Sequence, residues 1–226
     1  MADPKTPETV VPKIVAPKIE APDSQAPELE APTRPKPWFP PKLTTDRLLL
    51  RAVTHRDIEG IFAYASNPAV ARYTLWTPHT DLETSLAFVK DFAYANYQAE
   101  VPDPFAITLK ESSERVIGTV GCSWVSEHHH TMELGFALAE EHWGQGLVLE
   151  AAWAVLCFAF SLYPVHRIQA RCHVDHKRSA RVLEKLGMSY EGQLRSAVRL
   201  GEDYWDLDIY AILQPEWQQR VEDLTP

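Results

Sequence analysis

Cysteine, net positive charge and long apolar runs are all scarce in this sequence, and each shortage excludes something. There are 3 cysteines among 226 residues. Cys122, Cys157 and Cys172 form an odd, sparse set within apolar runs, which excludes a disulfide scaffold and fits small core side chains in a reducing, cytoplasmic setting. Lys and Arg number 22 against 31 Asp and Glu, a formal net charge of −9. Such a surface disfavours nucleic acid as a partner and suits a cationic one. The most apolar window, residues 147–165, carries Glu150 near its start and Pro164 at its end, short of the roughly 20 residues a membrane span needs. A buried helix is expected there, and no membrane association. The opening "MADPKTPETV" has no apolar stretch of the kind a signal peptide uses, so no secretory leader is expected.

Proline, by contrast, is concentrated. Of the 18 prolines, 11 fall in the first 41 residues, and Pro7, Pro12, Pro17, Pro22, Pro27, Pro32 and Pro37 recur every five positions. A stretch such as "APKIEAPDSQAPELEAP" has too few large apolar groups to offset its ordering entropy, and proline blocks both helix and ladder hydrogen bonds. Residues 1–41 are therefore expected to be a disordered, proline-rich arm with polyproline II character, either a solvated spacer or a ligand for a proline-recognising partner. The arm holds five basic and six acidic residues, which leaves 17 against 25, a net of −8, for a single domain over residues 42–226.

Within that domain "RLLLRAV" reads as a first strand, and Thr54 with Asp57 as a capping box opening a helix. "NPAVARY" reads as a short turn or helix. Thr80 with Glu83 reads as a second capping box, before a longer helix on which Leu82, Leu86, Val89, Phe92 and Ala93 recur at helical spacing. Three strands follow in "PFAITLK", "RVIGTVGCSWV" and "TMELGFAL". The apolar helix, the strand "HRIQARCHV", the helix "KRSARVLEKLG" and two last strands complete an α+β sheet of about six or seven strands with helices on both faces.

Between "TMELGFAL" and the apolar helix lies "WGQGL". A strand that feeds a Gly-x-Gly turn opening a helix aims several unpaired N–H groups at one point, at the positive end of the helix dipole, which makes an anion site. A dinucleotide fingerprint is excluded because its third glycine would be Leu149, and a P-loop because Gly-Lys-Ser/Thr is absent.

"ELGFALAEEHWGQGLVLEAA", "HRIQARCHVDHKRSARVLEKLGMSYEGQLR" and "GEDYWDLDIYAIL" together resemble the GNAT acetyltransferases, and among them the RimJ/RimL type, over about residues 43–213. The resemblance implies a GNAT fold in which the strands at 132–138 and 167–174 splay apart and admit the pantetheine arm of acetyl-coenzyme A, the implied cosubstrate. It places the pyrophosphate on the backbone of Trp143, Gly144, Gln145, Gly146, Leu147 and Val148. Phe136, Ala137 and Leu138 would contact the cosubstrate along the strand, and His176 and Ser179 from the following helix. Glu141 departs from the family's Gln or Arg at the first position of the loop motif, and His176 from its usual asparagine.

The implied reaction is direct attack of a primary amine, on a protein N-terminus or a small molecule, upon a thioester. It needs a base, an oxyanion donor and a proton for the departing thiolate. The resemblance puts the oxyanion donor on the backbone N–H of Phe136 or Ala137. Glu133 is the expected base, with Asp206 and Asp208 as rivals or as binders of the substrate's ammonium. The family's tyrosine acid is Leu183 here, so Ser179, on the stripe Ser179, Val182, Leu183 and Leu186, is the expected acid; a serine bonding a helix-start backbone group is the other reading. Gly187 reads as a helix C-terminal residue. His128, His129 and His130 diverge in a turn, so no metal site is expected. Trp76, Trp124 and Trp143 line an acceptor pocket or fill the core. A dimer is compatible with this reading. The alternative is a GNAT-fold domain that binds the cofactor or a partner without turnover, tethered by the arm.

Overall fold

The computed structural model describes residues 17–19 and 38–224. Seven long strands and two two-residue strands form one sheet in the order β1-β2-β3-β4-β5-β6-β7-β9-β8. They are β1 (Lys18–Ile19), β2 (Leu43–Thr44), β3 (Leu48–Ala52), β4 (Phe105–Leu109), β5 (Ser112–Ser126), β6 (Thr131–Leu138), β7 (Arg167–His173), β8 (Ser189–Leu200) and β9 (Asp203–Leu213). The two short strands extend the expected sheet at one edge. Neighbours are antiparallel except β6 and β7, which run parallel.

Side chains alternate across the sheet, so each face has its own core. Cys122 of β5 and Met132 and Leu134 of β6 pack under the apolar helix α5 (Leu147–Leu162), with α6 (Lys177–Leu186) and Trp217 of α7 (Gln214–Leu224) beside it. Glu150, Trp153 and Phe158 are all buried, as a helix apolar on nearly every side requires. Among the described residues no helix is long and apolar enough to cross a membrane. The opposite face carries α1 (Ile58–Ala65), α2 (Pro68–Ala71), α3 (Leu82–Ala87) and α4 (Tyr94–Gln98), which with the turn between α3 and α4 bury Ile61, Tyr64, Val89 and Tyr97 against Ala106 and Val116.

The capping box at Thr54 and Asp57 is formed. Asp57 also holds the Arg51 guanidinium through two bonds of 2.9 and 2.7 Å. The second cap is one residue later than expected. Asp81, extended at φ −159°, accepts the Thr84 N–H at 2.8 Å, and Thr80 donates to Asp81 instead. A charged carboxylate outcompetes a hydroxyl for the orphan amides of a first turn. The apolar stripe differs too. Leu82 and Phe92 are exposed, while Ser85, Val89, Ala93 and Tyr97 face the core at a spacing of four. Four α-helical residues overshoot a full turn by about 40°. The π-helical stretch Phe88–Ala93 between α3 and α4 underwinds the chain and keeps this stripe facing inward.

Packing begins before residue 42. Trp38 and Phe39 set their rings edge-on to Tyr97, with centroids 6.5 and 5.7 Å away, and Lys18 and Ile19 pair with Thr44 and Leu43. The rest of the proline-rich arm lies outside the described residues.

Candidate active site

The loop between β6 and α5 has the geometry that its glycines require. Gly144 and Gly146 both sit at φ 76°, in the left-handed region where a side chain is strained. The first bond of α5 runs from the Glu150 N–H to the Gly146 carbonyl, so the N–H groups of Leu147, Val148 and Leu149 precede the helix ladder. A Cβ on Gly144 would meet nothing within 4 Å. The approach to these amides is open, and a pyrophosphate fits them. Trp143 plays a different part from the one expected. Its backbone N–H donates to the Glu140 carbonyl at 3.1 Å, and its indole N–H donates to the Leu138 carbonyl at 2.8 Å, so it braces the loop from below. Arg178 stacks over that indole, 4.9 Å from its centroid.

A guanidinium reaches this loop from β3's leading edge. Arg47 donates to the Gln145 carbonyl at 2.9 Å and to Glu150 at 2.7 Å, and its Nη2 lies 3.7 Å from the position of a Cβ on Gly146. Glu150 also accepts from the Thr45 hydroxyl at 2.6 Å and the Arg47 N–H at 2.9 Å. Burial pushes the Glu150 carboxyl up, but these donors outweigh it and hold the group below its ordinary value. Glu141 faces outward, 3.8 Å from Arg115.

Next to the loop the sheet opens. Pairing of β6 with β7 covers Thr131↔Arg167 to Glu133↔Gln169 and then stops, although both strands continue. The N–H groups along β6 can be assigned sides. Ala139 donates to the Ile117 carbonyl at 2.8 Å, and the register with β5 is unbroken from Gly118↔Leu138 to Ser123↔Glu133. Alternation therefore turns the N–H groups of Glu133, Gly135 and Ala137 toward β5, and those of Phe136 and Leu138 into the opening. Ala137, expected with Phe136 as an oxyanion donor, spends its N–H in the sheet.

Ser179 is buried on the core side of α6, with Leu183 and Leu186, and its hydroxyl lies against the Cys172 thiol of β7. Burial chiefly pushes that thiol up to about 11, and the Ser179 hydroxyl pulls the other way. His176 stacks on Tyr73 at 4.9 Å, and Tyr73 also stacks on His173 at 5.0 Å. Burial lowers the His176 pKa, with the charges of His173 and Arg178 adding to the effect. Leu183 is core, and Gly187 caps α6 at φ 89°.

Glu133 is half-buried, and both its oxygens are taken. Arg171 Nε and Nη2 donate at 2.9 and 2.8 Å, and Gln169 Nε2 at 2.9 Å. The structure brings Glu133 to the opening but binds it to a cation from β7. Asp206 accepts from the Ser196 N–H at 2.7 Å and from Gln193 at 2.6 Å, which shapes the β8–β9 hairpin, and Asp208 accepts weakly from Tyr190. Trp124 and Trp76 pack against the two cores, one on each face.

Three contributors were not foreseen: Arg47, the Tyr73–His173 stack and Asp103. Burial pushes the Asp103 carboxyl up to about 6, and the Ser123 hydroxyl partly offsets this. Its surroundings in sequence, "VPDPF", offered only a proline-flanked acid with no periodicity to place it.

The acetyltransferase (GNAT) domain family matches residues 47–189. The N-acetyltransferase YoaA of Bacillus subtilis is 34% identical over 77% of this chain and 98% of its own length. The [ribosomal protein uS5]-alanine N-acetyltransferase of Escherichia coli is 27% identical over 78% of this chain and 92% of its own. A GNAT-family acetyltransferase from Bacillus anthracis has a crystal structure that superposes with a TM-score of 0.69 at 29% identity, covering 77% of this chain and 99% of that one. The loop, the opened sheet and these matches agree: the chain belongs to the GNAT acetyltransferase family.

Proposed function

We propose that this acetyltransferase, which acts on amines, takes its acetyl group from acetyl-coenzyme A and passes it by direct attack to the primary amine of a protein N-terminus. The observation that carries the reading is the parting of β6 from β7 beside the Gly144–Gly146 loop. It joins a slot for a thioester arm to a set of amides for a pyrophosphate. Arg47 supports the phosphate assignment, since it brings to the loop the positive charge that Glu141 cannot supply. In the slot the N–H groups of Phe136 and Leu138 are the oxyanion donors, and Ser179 is the group that returns a proton to the thiolate. The N-terminal acceptor is chosen because the relative from E. coli is named for an alanine of a ribosomal protein.

A non-catalytic role is not favoured, because the matched family and its relatives are acetyltransferases. The three free cysteines suit a reducing cytoplasm. Apart from Lys18–Ile19, which pair with β2, and Trp38 and Phe39, which pack on Tyr97, the proline-rich arm is a spacer that turnover does not need.

The test is release of coenzyme A thiol with a panel of acceptors: peptides with free N-terminal Ala, Ser or Met, lysine side-chain peptides, and polyamines. N-terminal peptides are expected to give the highest kcat/KM. Preference for a polyamine would move the acceptor class to small molecules. Coenzyme A binding with no thiol release from any amine would refute acetyl transfer.

A further inference from the structure

On the face of the sheet away from α5, a carboxyl group stands where two strands have no side chains of their own. Gly121 of β5 and Gly135 of β6 are paired directly across the ladder. A Cβ on Gly135 would meet nothing within 4 Å, whereas a Cβ on Gly121 would lie 2.2 Å from Asp103 Oδ1. The Asp103 carboxyl therefore fills the space that Gly121 leaves, and Gly135 is a bare, exposed patch at its side. Ser123, two residues along β5 on the same face, brings its hydroxyl toward the Asp103 carboxyl and stands opposite Glu133. Two carboxylates thus flank one open glycine, next to the Phe136 N–H and where β6 leaves β7.

Their surroundings give them different work. Glu133 is held by Arg171 and Gln169 through both oxygens. On its own face of the sheet Asp103 meets the Ser123 hydroxyl; the Tyr97 hydroxyl of α4 is spent on the Pro104 carbonyl and the Val53 N–H, the Cys122 thiol lies on the α5 face, and none of the three is a cation. Burial raises the Tyr97 and Cys122 groups as well, so both stay neutral near pH 7. The Asn96 amide is spent on Asp103's own backbone carbonyl at 2.9 Å.

We propose that Asp103 is the general base of the reaction, taking the proton of an acceptor amine seated over Gly135, directly or through one water, while the Glu133–Arg171 pair positions the acceptor. The inference rests on the acetyl-transfer reading above. The amine nitrogen forms a bond to the thioester carbonyl carbon, its N–H proton passes to Asp103 Oδ, and the C–S bond breaks to give the amide and a thiolate. The thiolate takes up a proton by way of Ser179, and Asp103 returns its own to solvent. A carboxyl raised toward working pH by burial is a stronger base than one neutralised by a guanidinium.

The experiment is the pH dependence of kcat at saturating acetyl-coenzyme A and saturating amine, for the wild type, Asp103→Asn, Ser123→Ala and Glu133→Gln. The wild type is expected to rise through a limb near pH 6. Asp103→Asn should lose that limb and about 10²-fold or more in kcat, with acetyl-coenzyme A affinity retained. Ser123→Ala should stay active with its limb moved to higher pH, because its hydroxyl lowers the Asp103 pKa. Glu133→Gln should keep the limb. A limb that survives in Asp103→Asn, that vanishes with Glu133→Gln, or that does not move in Ser123→Ala overturns the assignment while leaving acetyl transfer intact. Should Asp103→Asn fail to fold, the Ser123→Ala shift decides alone. Absence of turnover in the wild type with every amine would overturn both readings.

Discussion

Replacing Asp103 by Asn is expected to stabilise the folded protein at neutral pH even as it removes the base. In the folded chain this carboxyl titrates at about 6, against about 3.9 for an unfolded aspartate. The group is raised, so its favourable contribution is complete below the unfolded value and is lost as pH rises through the folded one. At pH 7 the folded state bears the cost of a poorly solvated carboxylate. A shift of two units corresponds to roughly 3 kcal/mol. Asp103 keeps part of its surface at solvent, which screens the charge, so the gain from Asn is set at about 1–3 kcal/mol. Asparagine retains an oxygen for the Ser123 hydroxyl, and its amide carries no charge to desolvate. Urea unfolding of both proteins at intervals from pH 4.5 to 8 gives the difference directly and cancels the other carboxylates. The advantage of Asp103→Asn should be small at pH 4.5, grow through pH 6 and level off. A difference that stays flat over this range, or a variant that is less stable at pH 8, would refute the raised pKa and with it the physical basis for Asp103 as base.

Three further outcomes are expected. Gly146→Val puts a β-branched residue at φ 76° in the loop and a side chain toward the amides, so coenzyme A affinity measured by calorimetry should fall at least tenfold; unchanged affinity would move the pyrophosphate elsewhere. Ser179→Ala should lower kcat by about 10²-fold with acetyl-coenzyme A affinity nearly kept, since proton delivery to a leaving thiolate strengthens only in the transition state; a loss under tenfold would assign the proton to solvent. Glu150→Gln removes the carboxylate that gathers Thr45 and Arg47, and should cost about 1–3 kcal/mol in urea unfolding at pH 7, an effect that begins to shrink below pH 4.5, where the unfolded carboxyl takes up its proton, and is lost once pH falls through the lower folded value.

The family, the order of elements and the glycine turn into α5 were legible in the sequence because each rests on neighbours along the chain. A capping box spans four residues, a strand announces itself in five to eight, and Gly144 and Gly146 stand at φ 76°, a left-handed backbone that glycine adopts at no cost. The same local rules picked out Ser179, since the stripe with Leu183 and Leu186 determines which side of α6 is buried. They failed where several partners compete for one group. Thr80 and Asp81 both offered a cap, and charge decided between them. Which N–H groups of β6 face the opening depended on the β5 register, so Ala137 and Phe136 could be separated only once that register was known. The division of labour among carboxylates lay furthest out of reach. Glu133 and Arg171 are 38 residues apart, and Asp103 comes to Gly121 from the loop between α4 and β4. Sequence distance is silent about such meetings, and a carboxyl's basicity is set by what surrounds it in space, which only the folded sheet decides.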